Sequence, residues 1–524
     1  MTNALGAINV SGANKTVTFS GSHLNSSILN IESDATFKFS SDSTVGGVVN
    51  NAGTFDIGDN DITFGGVGDF VLNDDAEVKF TVTDTGYGNI DINGNGINLN
   101  DYVLTFTPVF DGVEAQDAAS YTLFSSSSYI LNATQDYSVT STPLVSWTVD
   151  GSSGNSIVLT SSIKEASELS GVNKRTAVSV DRAPSAIKSA VQGLSTAAEV
   201  NEASMKLSPD VNSAAAVGAV RTTNGVSNVI GDRLAQVRAG IATGDVLENA
   251  GLWGQFFGFT ADQSQRNGIE GYDADTQGFA VGADKEVNEN LTLGLALSYA
   301  LTNINNKGVL SSNGSDIDSY GVVLYGNQKF DKMYVEGSLG YSYHDFDNNR
   351  LVNVGAINQN LTSNYGANEY TVSVETGMPI DFEKAIVTPV AGIRYSHLNQ
   401  DGYSEAGGSA ALKVESRETD SIKSKLGAKL ARNFDIDAGV LTPEVRLSWM
   451  HEFGDDQIDT TSKYVAGGTS FTTNGMSLPK DAAVIGLGVT LAKKDNWSFL
   501  ADYDAELKSD YTSHAGTIQV KYDF

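Results

Sequence analysis

The chain has 524 residues, with 33 Lys and Arg against 63 Asp and Glu and a formal net charge of −30. That balance argues against nucleic acid as a partner, because phosphate binding needs clustered Lys and Arg and no basic tail is present. Cys is absent, which excludes disulfide frameworks, thiolate zinc sites and Cys nucleophiles.

Gly is abundant at 54 and Pro scarce at 8, a mix that suits strands and Gly turns rather than disorder. No apolar run approaches the roughly 20 residues of a transmembrane helix. The start, MTNALGAINVSGANKTVTF, has neither a basic n-region nor an apolar h-region and does not read as a signal peptide. For an exported protein the expectation is therefore a mature fragment.

Residues 1–165 are rich in Asn, Gly, Asp, Ser and Thr. ATFKFS, GTFDIG, DITFGG, DFVLND and EVKFTV each supply one short alternating strand, separated by Asn-Gly, Asp-Asn and Gly-Gly turns. Short, closely spaced strands suggest a β-solenoid, in which each rung buries its inside face on its neighbours. The period is irregular, which leaves a sandwich as the alternative.

Residues 166–250 lose the alternation and become Ala-, Ser- and Val-rich. Pro184 suits the first turn of a helix through AIKSAVQGL. A second helix is expected to start in SPDVNSAAAVGAV, with Ser208 as cap and Pro209 at the first position. Val226, Ile230, Leu234, Val237 and Ile241 recur at spacings of three and four, which predicts a helix over 217–240. Gly218, Gly225 and Gly231 weaken it by up to about 1 kcal/mol each relative to Ala, yet their smallness helps if the helix must fit a narrow space.

Residues 251–524 hold about twelve long alternating segments joined by polar loops. In LTLGLALSYAL, Leu291, Leu293, Leu295, Leu297 and Tyr299 share one parity, while Thr292, Gly294, Ala296 and Ser298 share the other. MYVEGSLGYSY, YTVSVETGM, VIGLGVTL and NWSFLADYDAEL repeat the pattern, with Glu336, Glu375, Asp502 and Glu506 opposite the apolar parity. Successive strand residues point to opposite faces, so each segment has one greasy and one mild or ionised face. Nothing in the chain supplies a second sheet to cover the greasy faces. Aromatics gather toward strand ends, at Tyr299, Tyr341, Tyr343, Trp449, Phe453, Trp497, Tyr522 and Phe524, as in the girdles of outer-membrane barrels. Closure would satisfy every backbone group and leave no edge in lipid. A soluble barrel or sandwich alternates as well and stays open as a reading at this stage.

These residues resemble the classical monomeric autotransporters of Gram-negative bacteria, the type V secretion family. The order is similar: a β-rich passenger in 1–165, a helical linker in 166–250 and a twelve-stranded antiparallel transmembrane β-barrel in 251–524. SYTLFSSSSYILN and VSWTVDGSSGNSIVLTSS resemble the β-rich junction that ends a passenger stem. GTIQVKYDF, with Val520, Tyr522 and Phe524 on one parity, resembles the C-terminal signal read by the barrel assembly machinery, although Gln519 stands where the family pattern has Gly. In style the chain is similar to surface antigens of obligate intracellular bacteria.

The resemblance implies an outer-membrane translocator that displays its own N-terminal passenger at the cell surface. Its implied partners are outer-membrane lipid, the assembly machinery and periplasmic chaperones, around a monomeric barrel. It also implies one helix running up the lumen. Arg221, Arg233 and Arg238 lie on that helix, and by parity Asp284, Glu336, Glu375, Glu444, Asp502 and Glu506 face the lumen. Pairing of the helix cations with some of these carboxylates is expected, with ordinary solvated charges as the alternative. Lys423, Lys425 and Lys429 share an inward parity and suit wall-to-wall partners of the acids.

No enzyme, cofactor or metal site emerges. DINGNG at Asp91–Gly96 matches half a calcium loop, but Tyr102 stands where the bidentate Glu belongs, and a solenoid turn is the better reading. His451-Glu452 lacks the second His of a zinc protease, and GSSGN at 151–155 is a turn rather than a nucleophile elbow. Some relatives cut their own junction at a paired Asn. Asn201, Asn212, Asn224 and Asn228 stand singly here and read as cap or turn residues. The rival functions are a diffusion channel with an extra N-terminal domain and a soluble secreted β-rich adhesin.

Overall fold

The computed structural model describes residues 6–65, 70–73, 76–93, 97–98, 102–126, 137–151, 154–238, 250–382, 385–493 and 497–522. It divides into two compact units, one of residues 1–203 with 354–357 and one of 204–353 with 358–524.

The first unit begins with short strands that pair in parallel with the third strand along. Ile8–Val10, Ile28–Ile31, Val48–Asn51, Phe70–Leu72 and Ile97–Asn98 build one sheet; two further sheets begin at Lys15–Phe19 and at His23–Leu24. Three sheets that share each rung make a β-solenoid, not a sandwich. The repeat is near 20 residues at first, as Ile8 pairs Leu29 and Leu29 pairs Val49, and later stretches so that Phe70 pairs Ile97. That stretching is the irregularity visible in the sequence: extra residues loop out between strands while the pairing is kept.

Alternation sends Phe37, Phe39, Phe55, Phe64, Phe70, Phe80, Phe106 and Phe124 into one core, all fully buried. Their rings meet edge to face, for example Phe39–Phe55 at 5.3 Å and Phe55–Phe70 at 5.2 Å. Along the first sheet Asn9, Asn30 and Asn50 form an amide ladder with Nδ2–Oδ1 distances of 2.7 and 2.8 Å. An antiparallel hairpin, Val145–Asp150 with Ser156–Ile163, finishes the stack, and its Trp147 stacks on Phe110 at 6.0 Å. Of DINGNG, Asp91–Asn93 is strand and 94–96 lie outside the described residues, as do 127–136 of the junction segment and 152–153 of GSSGN.

Four α-helices follow: α1 Lys174–Asp181, α2 Ser185–Gln192, α3 Ala197–Leu207 and α4 Ala214–Arg238. Pro184 sits at the N-cap of α2, one residue before its first turn. The expected helix start at Ser208 and Pro209 is wrong. Ser208 closes α3, its Oγ donating to the Ser204 carbonyl at 2.8 Å, and Pro209 falls in the break between α3 and α4. The overlooked signal was Thr196-x-x-Glu199, a reciprocal capping box in which Thr196 Oγ1 accepts from the Glu199 N–H and Glu199 Oε2 accepts from the Thr196 N–H. α4 starts instead behind Asn212, whose Oδ1 accepts from the Ala214 N–H, and Ser213, which takes a φ of 58°.

The second unit is a closed antiparallel barrel of twelve main strands. They are β1 Ala250–Gln263, β2 Tyr272–Asn288, β3 Leu291–Asn306, β4 Gly314–Lys329, β5 Tyr334–Val354 and β6 Ile357–Gly377; then β7 Ile386–Gln400, β8 Arg417–Ala431, β9 Gly439–Glu452, β10 Asp481–Lys493, β11 Trp497–Lys508 and β12 Tyr511–Tyr522. Each pairs with its sequence neighbour, and β12 closes on β1 from Gly254–Val520 to Gln263–Tyr511. His451-Glu452 lies at the end of β9. The segments 401–416 and 453–480 contribute a separate four-stranded sheet at one barrel end. The two longest connections, 401–416 and 453–480, lie at one end, and in an outer-membrane barrel the end with the longest loops faces the exterior.

The greasy parity faces out. Leu295 and Leu297 are 51% and 56% exposed and Phe256 73%, whereas Ala296 between the leucines is 1% exposed. Among the described residues no segment of the chain covers this band, which is not how a sandwich or a soluble barrel disposes of its greasy face. Phe256, Phe279, Tyr299, Tyr320 and Tyr343 stand in register across β1–β5 as one outward aromatic row. The expectation of aromatics at strand ends needs correction for this row. Tyr299 is mid-strand in β3, because the strand runs on beyond the apolar band through Thr302–Asn306, whose outward residues Asn303 and Asn305 are polar. At the other rim Phe330, Phe382, Phe434 and Trp497 are exposed. Among the described residues no helix is long and apolar enough to cross a membrane, a statement that does not concern strands.

Candidate functional site

α4 occupies the barrel lumen. Its 25 residues span about 37 Å at 1.5 Å per residue, more than a hydrocarbon core of about 30 Å. The expected end at Gly240 and the periodic Ile241 lie outside the described residues. Val226, Val229, Ile230 and Leu234 pack against Trp253, Phe257, Ala280, Ala296 and Val323 on β1–β4. Two of the three glycines permit close approach: a Cβ on Gly218 would lie 2.8 Å from Ile304 Cδ1, and one on Gly225 3.0 Å from Phe259 Cε1. Gly231 has nothing within 4 Å of the equivalent point.

Three helix arginines meet wall carboxylates. Arg233 donates through Nε and Nη2 to both oxygens of Asp284, at 2.7 and 2.8 Å. Arg221 Nη1 donates to Glu506 at 3.2 Å and Nη2 to Ser513 Oγ at 2.5 Å. Arg238 pairs with Glu336 and lies 3.8 Å over the Tyr334 ring. Burial of both partners costs desolvation energy that offsets much of the Coulombic gain, so these pairs fix geometry more than they add stability.

The other three sequence-selected acids face the lumen but serve the wall. Glu375 accepts from Lys425 at 3.0 Å and Lys429 at 2.9 Å, while Lys423 reaches Glu452 at 3.8 Å. Glu444 and Asp502 both meet Arg446, at 3.2 and 2.5 Å, and Asp504 joins them at 2.9 Å. Arg446 was missed, although its inward parity beside Glu444 was the available signal.

A second group was missed altogether. Thr223 Oγ1 donates to Glu369 Oε2 at 2.7 Å, and His344 bridges Glu369 at 3.0 Å and Ser319 at 2.8 Å. Arg394 donates to the Oδ1 atoms of Asn224 and Asn228, at 3.0 and 3.2 Å. Those two asparagines are therefore lumen contacts rather than caps or turns. Asn201 lies within α3 and accepts from the Asn173 N–H, and only Asn212 is a cap.

Val520 is 47% exposed on β12, opposite Gly254. Tyr522 pairs in register with Trp497, and Phe524 lies outside the described residues.

Residues 252–504 match the family model described as the autotransporter beta-domain. The barrel is an autotransporter beta-domain. It is an outer-membrane translocator of a Gram-negative bacterium, with its apolar band in lipid. The translocator is similar to several curated relatives. An extracellular serine protease of Serratia marcescens is 24% identical over 324 residues, covering 62% of this chain and 31% of the relative. Outer membrane protein B of Rickettsia japonica is 26% identical over 343 residues, covering 63% and 21%. Outer membrane protein A of Rickettsia rickettsii is 29% identical over 355 residues, covering 63% and 16%. The chain thus spans between about a sixth and a third of the length of these relatives. Among solved structures, the translocator domain of autotransporter NalP from Neisseria meningitidis aligns with a TM-score of 0.45 at 19% identity, covering 59% of this chain and all of that one.

Proposed function

We propose that the chain exports and displays its own N-terminal β-solenoid, residues 1–165, at the cell surface, and that residues 166–250 link it to the barrel with α4 as the resident pore helix. The observation that carries this reading is α4 within the lumen, held by Arg233 on Asp284 with its N-terminus at the long-loop end. The preceding chain then leaves the barrel on the exterior side. A lumen filled in this way disfavours an open diffusion channel. Val520, Tyr522 and Phe524 serve as the assembly signal in this reading, with the barrel assembly machinery and periplasmic chaperones as partners of a monomeric barrel. The solenoid gains stability rung by rung, so its folding outside biases movement outward without nucleotide.

The test combines fractionation with protease treatment of intact cells. The expected result is a heat-modifiable barrel in the outer-membrane fraction and a solenoid removed by external protease. A protein soluble without detergent, or a solenoid protected in intact cells, overturns the reading.

A further inference from the structure

The lumen is not uniform along its length. On the inner half, the apolar α4 residues Val226, Val229, Ile230 and Leu234 pack on β1–β4. The opposite side is a cavity of about 220 Å³ that runs from Ala235 up to Asn224 and Arg221 on the helix and is bordered by Glu375, Lys429, Arg446 and Glu506 on the wall. A charged cavity of this size holds several waters.

Toward the outer end the helix is packed in an apolar ring. Helix residues Ala214–Val220 are ringed by Ala261 on β1, Ile304 on β3, Ile317 on β4, Phe346 on β5, Tyr365 on β6 and Leu398 on β7. Ile458, from the segment between β9 and β10, and Tyr511 on β12 join the same cluster. Tyr365 is stacked between Phe346 and Tyr403, at 4.8 and 4.3 Å.

Directly beneath this ring, four consecutive helix residues reach the wall in four directions. Arg221 bonds Glu506 on β11 at 3.2 Å. Thr222 meets Thr302 on β3 at 2.9 Å, and Thr223 meets Glu369 on β6 at 2.7 Å. Asn224 accepts from Arg394 on β7 at 3.0 Å.

We infer that the permeability barrier of the translocator is this apolar ring, around α4 residues 214–220, and that the space beneath it is a wet vestibule. An apolar constriction excludes hydrated ions by dewetting, and the polar collar ties the helix to the wall where the constriction ends. The ion pairs of Arg233 and Arg238 then anchor the helix without sealing the pore. This inference rests on the reading of α4 as a resident pore helix.

The full chain, reconstituted in planar bilayers, tests it by conductance. Phe346→Ala with Tyr365→Ala removes two rings of the seal and should raise conductance at least about tenfold, by widening a dewetted constriction. Glu375→Ala with Lys429→Ala enlarges the vestibule and should leave conductance unchanged. Because the chain has no Cys, single substitutions add an independent readout in intact outer membranes. Ala235→Cys should react with a charged thiol reagent added from the periplasmic side, and Ala219→Cys with reagent from neither side. Closed behaviour of the Phe346/Tyr365 variant with retained heat-modifiable migration overturns the inference. So does equal reactivity of the two cysteine variants. If deletion of 205–238 fails to open the barrel, the pore-helix reading itself falls, and the inference falls with it.

Discussion

Arg233 on α4 grips both carboxylate oxygens of Asp284 on β2, at 2.7 and 2.8 Å, and neither side chain reaches solvent. Tyr325 Oη adds a donor to Asp284 at 3.0 Å and itself accepts from Trp253 Nε1 at 2.7 Å. The helix is thereby fixed in rotation and height against β1, β2 and β4. Removing one partner strands a charge in a closed site, whereas replacing both does not. Asp284→Asn should cost about 3–5 kcal/mol, and Arg233→Met with Asp284→Leu distinctly less. Urea unfolding of the detergent-solubilised chain measures both. If Asp284→Asn costs no more than Asp456→Asn, which removes the exposed partner of Lys480, the buried pair has been overvalued.

The glycines of α4 separate into two kinds. Gly218→Leu and Gly225→Leu should expel the helix from its seat against Ile304 and Phe259, seen as protease cleavage within α4. Gly231→Ala meets open space and should stabilise by up to about 1 kcal/mol through helix propensity. Equal tolerance of Leu at all three positions would contradict the packing described.

The outward parity carries a prediction about lipid. Leu295→Arg places a charge within the apolar band and should cost about 2–4 kcal/mol in liposomes. Asn303→Arg has the same parity beyond the band and should change little. Similar costs at the two positions would mean that the band is not in hydrocarbon.

Solenoid stability and barrel insertion are separable in the proposed mechanism. Phe124 is fully buried in the solenoid, so Phe124→Ala should destabilise it by about 3–5 kcal/mol. Trp147→Ala, which loses the Phe110 stack, should have a smaller effect of the same sign. Both variants should insert as heat-modifiable barrels but display the solenoid more slowly in pulse-chase surface labelling. Display at an unaltered rate would count against folding as the outward bias.

Much of this architecture was legible in the chain, and the reasons differ between regions. The barrel was legible because a period of two is local: Leu293, Leu295 and Leu297 declare a common face wherever the strand is placed. The lumen helix was legible from Val226, Ile230 and Leu234, yet its start was misplaced. Pro209 looked like a first-turn residue, while the Thr196/Glu199 box had already begun a different helix. The Thr223–Glu369–His344–Ser319 chain was invisible because each member is an unremarkable polar residue in an alternating strand or an Ala-rich helix. Its members become related only when β4, β5 and β6 are laid side by side.

The sequence by itself determined which side chains point inward, which point outward, and where strand gives way to helix, because these follow from backbone periods a few residues long. Only the tertiary structure decided who meets whom inside. Parity offered six carboxylates to three arginines, and the closed barrel assigned Asp284, Glu336 and Glu506 to the helix while turning Glu375, Glu444 and Asp502 to the wall. That choice depends on strand register around the ring and on the helix lying against β1–β4 rather than on the axis, and neither is a property of any local stretch of residues.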